Sequence, residues 1–267
     1  GMEKLQTVRD EFAKRNPDFF SVTYGAGGST QERTIDTVIK LHKQGISTAP
    51  HLSCIGATNE TLTELLDLYK ENDIRRIVAL RGDLPSGMGA HGELRYANEL
   101  VEFIRNHSGD YFNIEVAAYP EFHPQAANAE QDLINFKRKV DAGANSAITQ
   151  YFYNVDAYFY FLDRVETMGI DIPIVPGIMP ITNYSNLVRF SDMCGAEIPR
   201  WIKKQLEAYG DDIASIKKFG EDVVTEMCER LLDEGAPGLH FYTLNQAEPS
   251  LKIWDNLNLS GDEKIAF

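Results

Sequence analysis

Short, nearly continuous apolar runs alternate along this chain with longer stretches in which apolar residues return every three or four positions. The runs at 19–23, 48–54, 76–80, 114–119, 147–153, 174–176 and 239–243 predict seven strands. Apolar continuity over so few residues marks strands covered on both faces. Between and around them the helical period predicts helices over 3–14, 29–44, 58–72, 96–106, 128–141, 155–168, 183–193, 200–209, 212–233 and 249–257. The punctuation agrees with the periods. Asn16-Pro17 stops the first helix and Gly45 the second, while Ser29 with Glu32, and Asn128 with Gln131, have the spacing of capping boxes.

Strict alternation of strand and helix predicts a parallel sheet. No linker, repeat or change of composition divides the chain, so residues 2–267 are expected to form a single domain; Gly1 ahead of the methionine reads as a tag remnant. A doubly wound open sheet is one arrangement of these units, but no Gly-x-Gly-x-x-Gly follows any strand. The expectation is an α/β (β/α)8 TIM-type barrel whose first strand is missing at the N-terminus.

Composition narrows the function. A chain of 267 residues suits one barrel. A formal charge of −14 excludes a nucleic-acid surface and requires any polyanionic ligand to meet a local basic pocket. Cys54, Cys194 and Cys228 lack close pairing and point to a reduced, cytoplasmic protein. No apolar run approaches the roughly 18 residues of a membrane span.

Candidate chemistry collects at the strand exits. Ile77-Val78-Ala79-Leu80 ends abruptly in Arg81-Gly82-Asp83, and other exits present Thr23, His51 with Cys54, Tyr119 with Glu121 and His123, Gln150, and His240 with Tyr242. Each alone has a plain structural explanation: a solvated strand end, a core histidine, packed tyrosines. Five or more strands delivering polar groups at one end is how barrel active sites are assembled. His51, Cys54 and His123 lack the paired spacing of zinc ligands, and no Gly-x-Ser-x-Gly elbow supports a serine hydrolase. No metal is expected. The basic run Lys137-Arg138-Lys139 suits the C-terminal end of a helix dipole, but Asp132, Asn135, Arg138 and Lys139 also lie near one helical face. In so acidic a chain that face would suit a pyrophosphate and its sugar.

Seven motifs, in order over essentially the whole chain, carry a resemblance: Phe20-Ser-Val-Thr-Tyr-Gly25, Ala49-Pro-His-Leu-Ser-Cys54, Ala79-Leu-Arg-Gly-Asp-Leu-Pro85, Ala117-Ala-Tyr-Pro-Glu-Phe-His-Pro124, Lys137-Arg-Lys-Val-Asp-Ala-Gly-Ala144, Ile148-Thr-Gln150 and His240-Phe-Tyr-Thr-Leu-Asn245. Together they resemble the methylenetetrahydrofolate reductase family. The resemblance implies a flavin-dependent barrel that reduces 5,10-methylenetetrahydrofolate to 5-methyltetrahydrofolate by hydride transfer through FAD, in one-carbon metabolism and methionine biosynthesis. Its electrons would come from NADH, NADPH or a redox partner protein. By resemblance, Thr23, His51, Arg81, Gly82, Asp83, Tyr96, Ala97, Tyr119, His123, Asp132, Asn135, Arg138 and Lys139 would hold FAD. Asp83, Gln150, Asn186, Phe190 and Gln246 would meet the folate, with Asp83 the catalytic carboxylate.

Three departures stand out. Gln246 replaces a cation of the family pattern, and Asn186 a longer glutamine. The family's opening strand, with its Ser-x-Glu-x-x-Pro-Pro-like motif and general-acid glutamate, has no counterpart here; Glu3 falls on the following helix. The chain is therefore expected to start one strand late, with two open sheet edges that invite association as a homo-oligomer. Two other functions compete: a non-catalytic or partner-dependent flavin- or folate-binding subunit, and another flavin barrel of the proline dehydrogenase type.

Overall fold

The computed structural model describes residues 2–24, 28–83 and 92–259. Its elements are α1 (Met2–Ala13), β1 (Phe20–Val22), α2 (Gly28–Lys43), β2 (Thr48–Ser53), α3 (Asn59–Glu71), β3 (Arg76–Leu80), α4 (Ala97–Ser108), β4 (Asn113–Ala118), α5 (Ala129–Asp141) and β5 (Ser146–Thr149). They continue as α6 (Val155–Thr167), β6 (Ile174–Val175), β7 (Gly177–Ile178), α7 (Tyr184–Cys194), α8 (Arg200–Tyr209), α9 (Ile213–Asp233), β8 (His240–Phe241) and α10 (Glu248–Asn256). The class is α/β of the TIM-barrel type: strands alternate with helices, and the hydrogen-bonded order β1-β2-β3-β4-β5-β6 follows the chain.

Local chemistry explains the boundaries. Thr58 Oγ1 accepts the Thr61 N–H at 3.2 Å to open α3. Asn128 Oδ1 accepts the Gln131 N–H at 2.9 Å ahead of α5, and Asp212 Oδ1 the Ser215 N–H at 3.1 Å ahead of α9. Each satisfies an N–H that the first helical turn leaves orphaned. The capping box read at Ser29 and Glu32 lies outside the described side chains. Leu62, Leu65, Leu66 and Tyr69 form the buried stripe of α3, at the spacing of one helical face.

The strand count differs from expectation. Seven were predicted, and eight segments are present among the described residues, because the sixth run splits at Pro176. Proline has no N–H for a ladder. Ile174–Val175 therefore neighbours β5, whereas Gly177–Ile178 pairs with β8 in a separate two-stranded sheet. The Pro176 carbonyl is still used, accepting the His240 N–H at 3.0 Å.

Two compact units divide the described chain: an early unit of 18–117 with 134–147, and a late unit of 1–17, 118–133 and 148 onward. In the early unit β1, β2, β3 and β4 pair in parallel, with His51 opposite Val78 and Val78 opposite Glu115. Two residues before Val78, Arg76 forms an ion pair with Glu115, which is nearly fully buried, and stacks its guanidinium 4.6 Å from the Phe19 ring. In the late unit Phe152 stacks on Tyr158 at 5.5 Å, and Arg15, just past α1, holds Asp255 of α10.

Candidate active site

Strand β3 builds the early unit's part. Ile77, Val78 and Ala79 are buried, and the charges begin one residue beyond Leu80. There the Arg81 carbonyl accepts from Ser53 Oγ at 2.9 Å, from the Ile55 N–H at 2.9 Å and, weakly, from Cys54 Sγ at 3.6 Å. The peptide that follows is consequently pinned to the end of β2. Gly82 adopts φ +87, and a Cβ there would lie 1.9 Å from Ser53 Oγ, so only glycine fits. Arg81 Nε donates to the Gly82 carbonyl at 3.1 Å, and Asp83 is exposed immediately after. A guanidinium and a carboxylate thus leave one rigid strand end two residues apart.

The other early-unit candidates occupy two further places. Tyr96 is the N-cap position of α4 and Ala97 its first residue; Tyr96 is exposed. Glu99, which the sequence reading passed over, accepts the Arg95 N–H at 2.6 Å and the Tyr96 N–H at 3.1 Å. Its position three residues past Tyr96 is the spacing that could have revealed it. On α5, Arg138 Nη1 donates to Asn135 Oδ1 at 3.2 Å, and Lys139 Nζ donates to the Ala117 carbonyl. Arg138 is exposed, so its remaining donors face solvent. Thr23, at the end of β1, is exposed and accepts from Thr34 Oγ1 at 3.1 Å through its carbonyl. His51 sits half-buried on β2.

Cys54 is fully buried, and burial pushes its thiol up to about 11. A thiol held protonated in this way is a poor ligand or nucleophile. Among the described residues no group of three or more His, Cys, Asp or Glu side chains is arranged to hold a metal ion. No described helix is long and apolar enough to cross a membrane.

In the late unit, the loop after β4 brings Tyr119, His123 and Asp132 together. The Tyr119 and His123 rings meet edge to face at 4.6 Å, and the His123 N–H donates to Asp132 Oδ2 at 2.9 Å. His123 Nδ1 accepts the Gln125 N–H at 3.0 Å. That nitrogen is therefore unprotonated, and the neutral ring carries its proton on Nε2 as a donor. Gln150 follows β5, with its N–H on the Ala118 carbonyl at 2.8 Å and its Oε1 accepting the Tyr151 N–H at 3.0 Å. The side-chain NH2 and one oxygen lone pair are left for a ligand.

Asn186 and Phe190 lie one turn apart on α7. Arg189 stands between them, donating to Asn186 Oδ1 at 3.4 Å with its guanidinium 5.0 Å from the Phe190 ring. Gln246 is exposed beyond a tight turn in which Leu244 and Asn245 both take positive φ, +48 and +56. The late unit also seats tyrosine hydroxyls on carbonyls: Tyr242 on Thr149 at 2.8 Å, Tyr153 on Met179 at 3.1 Å and Tyr158 on Ile174 at 2.7 Å. Tyr151 shares a 3.1 Å hydrogen bond with Ser191 of α7. Neither these hydroxyl contacts nor the Ser53 tie was among the sequence candidates. Their partners lie far away along the chain, so no local motif marks them.

Each unit holds donors of a kind that phosphate oxygens accept from, the Arg138 guanidinium and Lys139 ammonium in the early unit and the His123 imidazole in the late one, in a chain that is otherwise strongly acidic.

Known proteins resemble this chain over most of its length. A family model described as methylenetetrahydrofolate reductase matches residues 1–258. The chain is 44% identical over 252 residues to the 5,10-methylenetetrahydrofolate reductase of Escherichia coli K12, covering 94% of this chain and 83% of that protein. It is 37% identical over 280 residues to methylenetetrahydrofolate reductase (NADH) 1 of Zea mays, covering all of this chain and 47% of that protein. Among solved structures, a Clostridium thermocellum protein described as binding two copies of 5-methyl-5,6,7,8-tetrahydrofolic acid is similar at a TM-score of 0.54. At 17% identity, over 94% of this chain and 98% of that one, the likeness is one of fold.

Proposed function

The chain belongs to the methylenetetrahydrofolate reductase family, a family of oxidoreductases, and from that premise we propose that it reduces 5,10-methylenetetrahydrofolate to 5-methyltetrahydrofolate. In this reading residues 2–267 act as one flavin-binding domain, the flavin is FAD, and electrons arrive from NADH, NADPH or a redox partner protein. The observation that carries the proposal is the β3 exit. There a glycine at φ +87 and three donors on one carbonyl fix Arg81 and Asp83 at the end of a buried strand.

FAD, when bound, supplies the hydride chemistry. The chain's own groups bind, orient and neutralise. In the early unit Arg81, Arg138 and Lys139 offer charge-assisted donors to phosphate and flavin oxygens, with Asn135 steering Arg138. Thr23, His51, Gly82, Tyr96 and Ala97 complete the early unit's cofactor contacts. In the late unit His123 donates from Nε2 while Asp132 fixes its backbone and Tyr119 its ring. Asp83 is the carboxylate that stabilises positive charge on the substrate's iminium form. Gln150 offers donor and acceptor to the pterin edge, Phe190 presents an aromatic face one turn from Asn186, and Gln246 adds a further polar group.

The test begins with colour. The purified protein is expected to be yellow, to release FAD on denaturation, to bleach with a reduced nicotinamide, and to form 5-methyltetrahydrofolate. A colourless protein that takes up no FAD sinks the cofactor assignment. A yellow protein that leaves methylenetetrahydrofolate untouched sinks the substrate.

A further inference from the structure

The loop after β4 is fastened to the end of α7 by a side chain that has no part in the cofactor or folate contacts named above. Glu121 Oε2 accepts the Glu197 N–H at 2.9 Å, just beyond the helix. On the same loop Pro124 packs against Gly195, where a Cβ would stand 3.1 Å from Pro124 Cγ. Glu121 Oε1 is buried and has no hydrogen-bond partner among the described residues. Burial raises this carboxyl above the ordinary carboxylate range. Keeping a carboxylate half-satisfied out of water is unfavourable by itself, so its backbone contact is a specific one. A small recess beside it is lined by Tyr119, Gln150, Tyr151 and Cys194 as well as Glu121. The tie therefore runs from the loop of Tyr119 and His123, past Gln150, to the helix of Asn186 and Phe190.

We propose that Glu121 is a positioning residue: its carboxylate locks the cofactor-bearing loop 119–124 to the substrate-bearing helix α7, holding both sets of ligands in one frame. This rests on the function proposed above. It assigns Glu121 no contact with the reacting atoms; it acts through the geometry of Tyr119, His123 and Phe190.

Three variants test it in the full chain. Glu121→Ala removes the acceptor. Glu121→Asp keeps the charge but is one methylene too short to reach the Glu197 N–H. Glu121→Gln keeps an oxygen at the right reach. Each is followed by thermal melting, FAD affinity by absorbance titration, and KM and kcat for methylenetetrahydrofolate. Glu121→Ala and Glu121→Asp are expected to raise the FAD Kd and the folate KM about tenfold, with kcat within about threefold, and Glu121→Gln to restore both. The gentler Asp variant answers the question even where the Ala variant does not fold. Wild-type KM and FAD affinity in Glu121→Asp would overturn the proposal, as would a Gln variant no better than Asp. Should the unaltered protein fail to reduce methylenetetrahydrofolate, the assigned reaction falls, and the FAD affinities alone still decide whether the tie sets the loop.

Discussion

The two units satisfy their buried backbone with different donors. In the early unit several of the donors are cations, beside the hydroxyls of Ser53, Thr34 and Tyr111. Arg105 reaches the carbonyls of Gly143 at 2.7 Å, Phe112 at 2.9 Å and Gly109 at 3.0 Å, Lys139 reaches that of Ala117, and Arg76 pairs with buried Glu115. In the late unit the same work falls to neutral phenols, those of Tyr153, Tyr158 and Tyr242. A fixed cation already in place suits a charged, phosphate-bearing ligand. A lattice of neutral hydroxyls beside aromatic faces suits a flat, uncharged ring with a polar edge. In the function proposed above the early unit's cations are offered to the cofactor alone, whereas the late unit offers Gln150 to the pterin and His123 to the cofactor.

The sharpest way to break the comparison is to remove the early unit's buried charge. Glu115→Ala leaves Arg76 without its partner and is expected to destabilise the fold by about 3–5 kcal/mol in chemical denaturation. A loss under about 1 kcal/mol would mean the ion pair is not what holds that unit.

Acid should strike the late unit through His240. Burial pushes its imidazole down to about 4, against about 6.5 in an unfolded chain. Between those values the unfolded chain binds a proton that the folded one refuses. The contribution is complete above about pH 6.5 and drains away as pH falls toward 4, by up to about 3 kcal/mol. Thermal melts from pH 7 to 4.5 should show a shallower acid slope in His240→Asn than in the unaltered protein; equal slopes would assign the acid sensitivity to other groups.

Gly82→Ala forces a side chain into positive φ and against Ser53 Oγ. It should cost about 2 kcal/mol and most of the FAD affinity. Adding Ser53→Gly removes the clash but not the backbone strain, so only part of the loss should return. Full recovery would show that space, not φ, was limiting.

The smallest effect expected is for Tyr242→Phe, which strips one hydroxyl from the Thr149 carbonyl and should cost about 1 kcal/mol. The loss relative to the unaltered protein should also be the same with and without added salt, unlike that of Glu115→Ala.

What could be read from the chain alone follows from distance along it. The caps at Thr58, Asn128 and Asp212 involve partners three residues away and were visible as residue types in order. The exit at Arg81 was visible because charges abut an apolar run. The reason Gly82 must be glycine was not, since Ser53 lies 29 residues earlier and only strand pairing brings it close. Tyr242 was noticed at a strand end, yet its acceptor is 93 residues away. Gln246 was read as a lost cation; the paired left-handed residues before it, Leu244 and Asn245, are a backbone feature that neither residue type announces. The split at Pro176 was legible in principle, as a proline inside an apolar run, but a two-residue strand on each side of it lies below what periodicity can resolve.

That proline also divides the run as an amide-exchange experiment would see it. Pro176 carries no exchangeable proton, so the protected amides of 174–175 and 177–178 are interrupted where the partner strand changes. The first pair is expected to gain and lose protection together with β5, as is the Gly177 amide, which donates to Thr149 Oγ1 at 2.9 Å, whereas Ile178 should follow β8. A continuous stretch of sequence would then report two separate opening events.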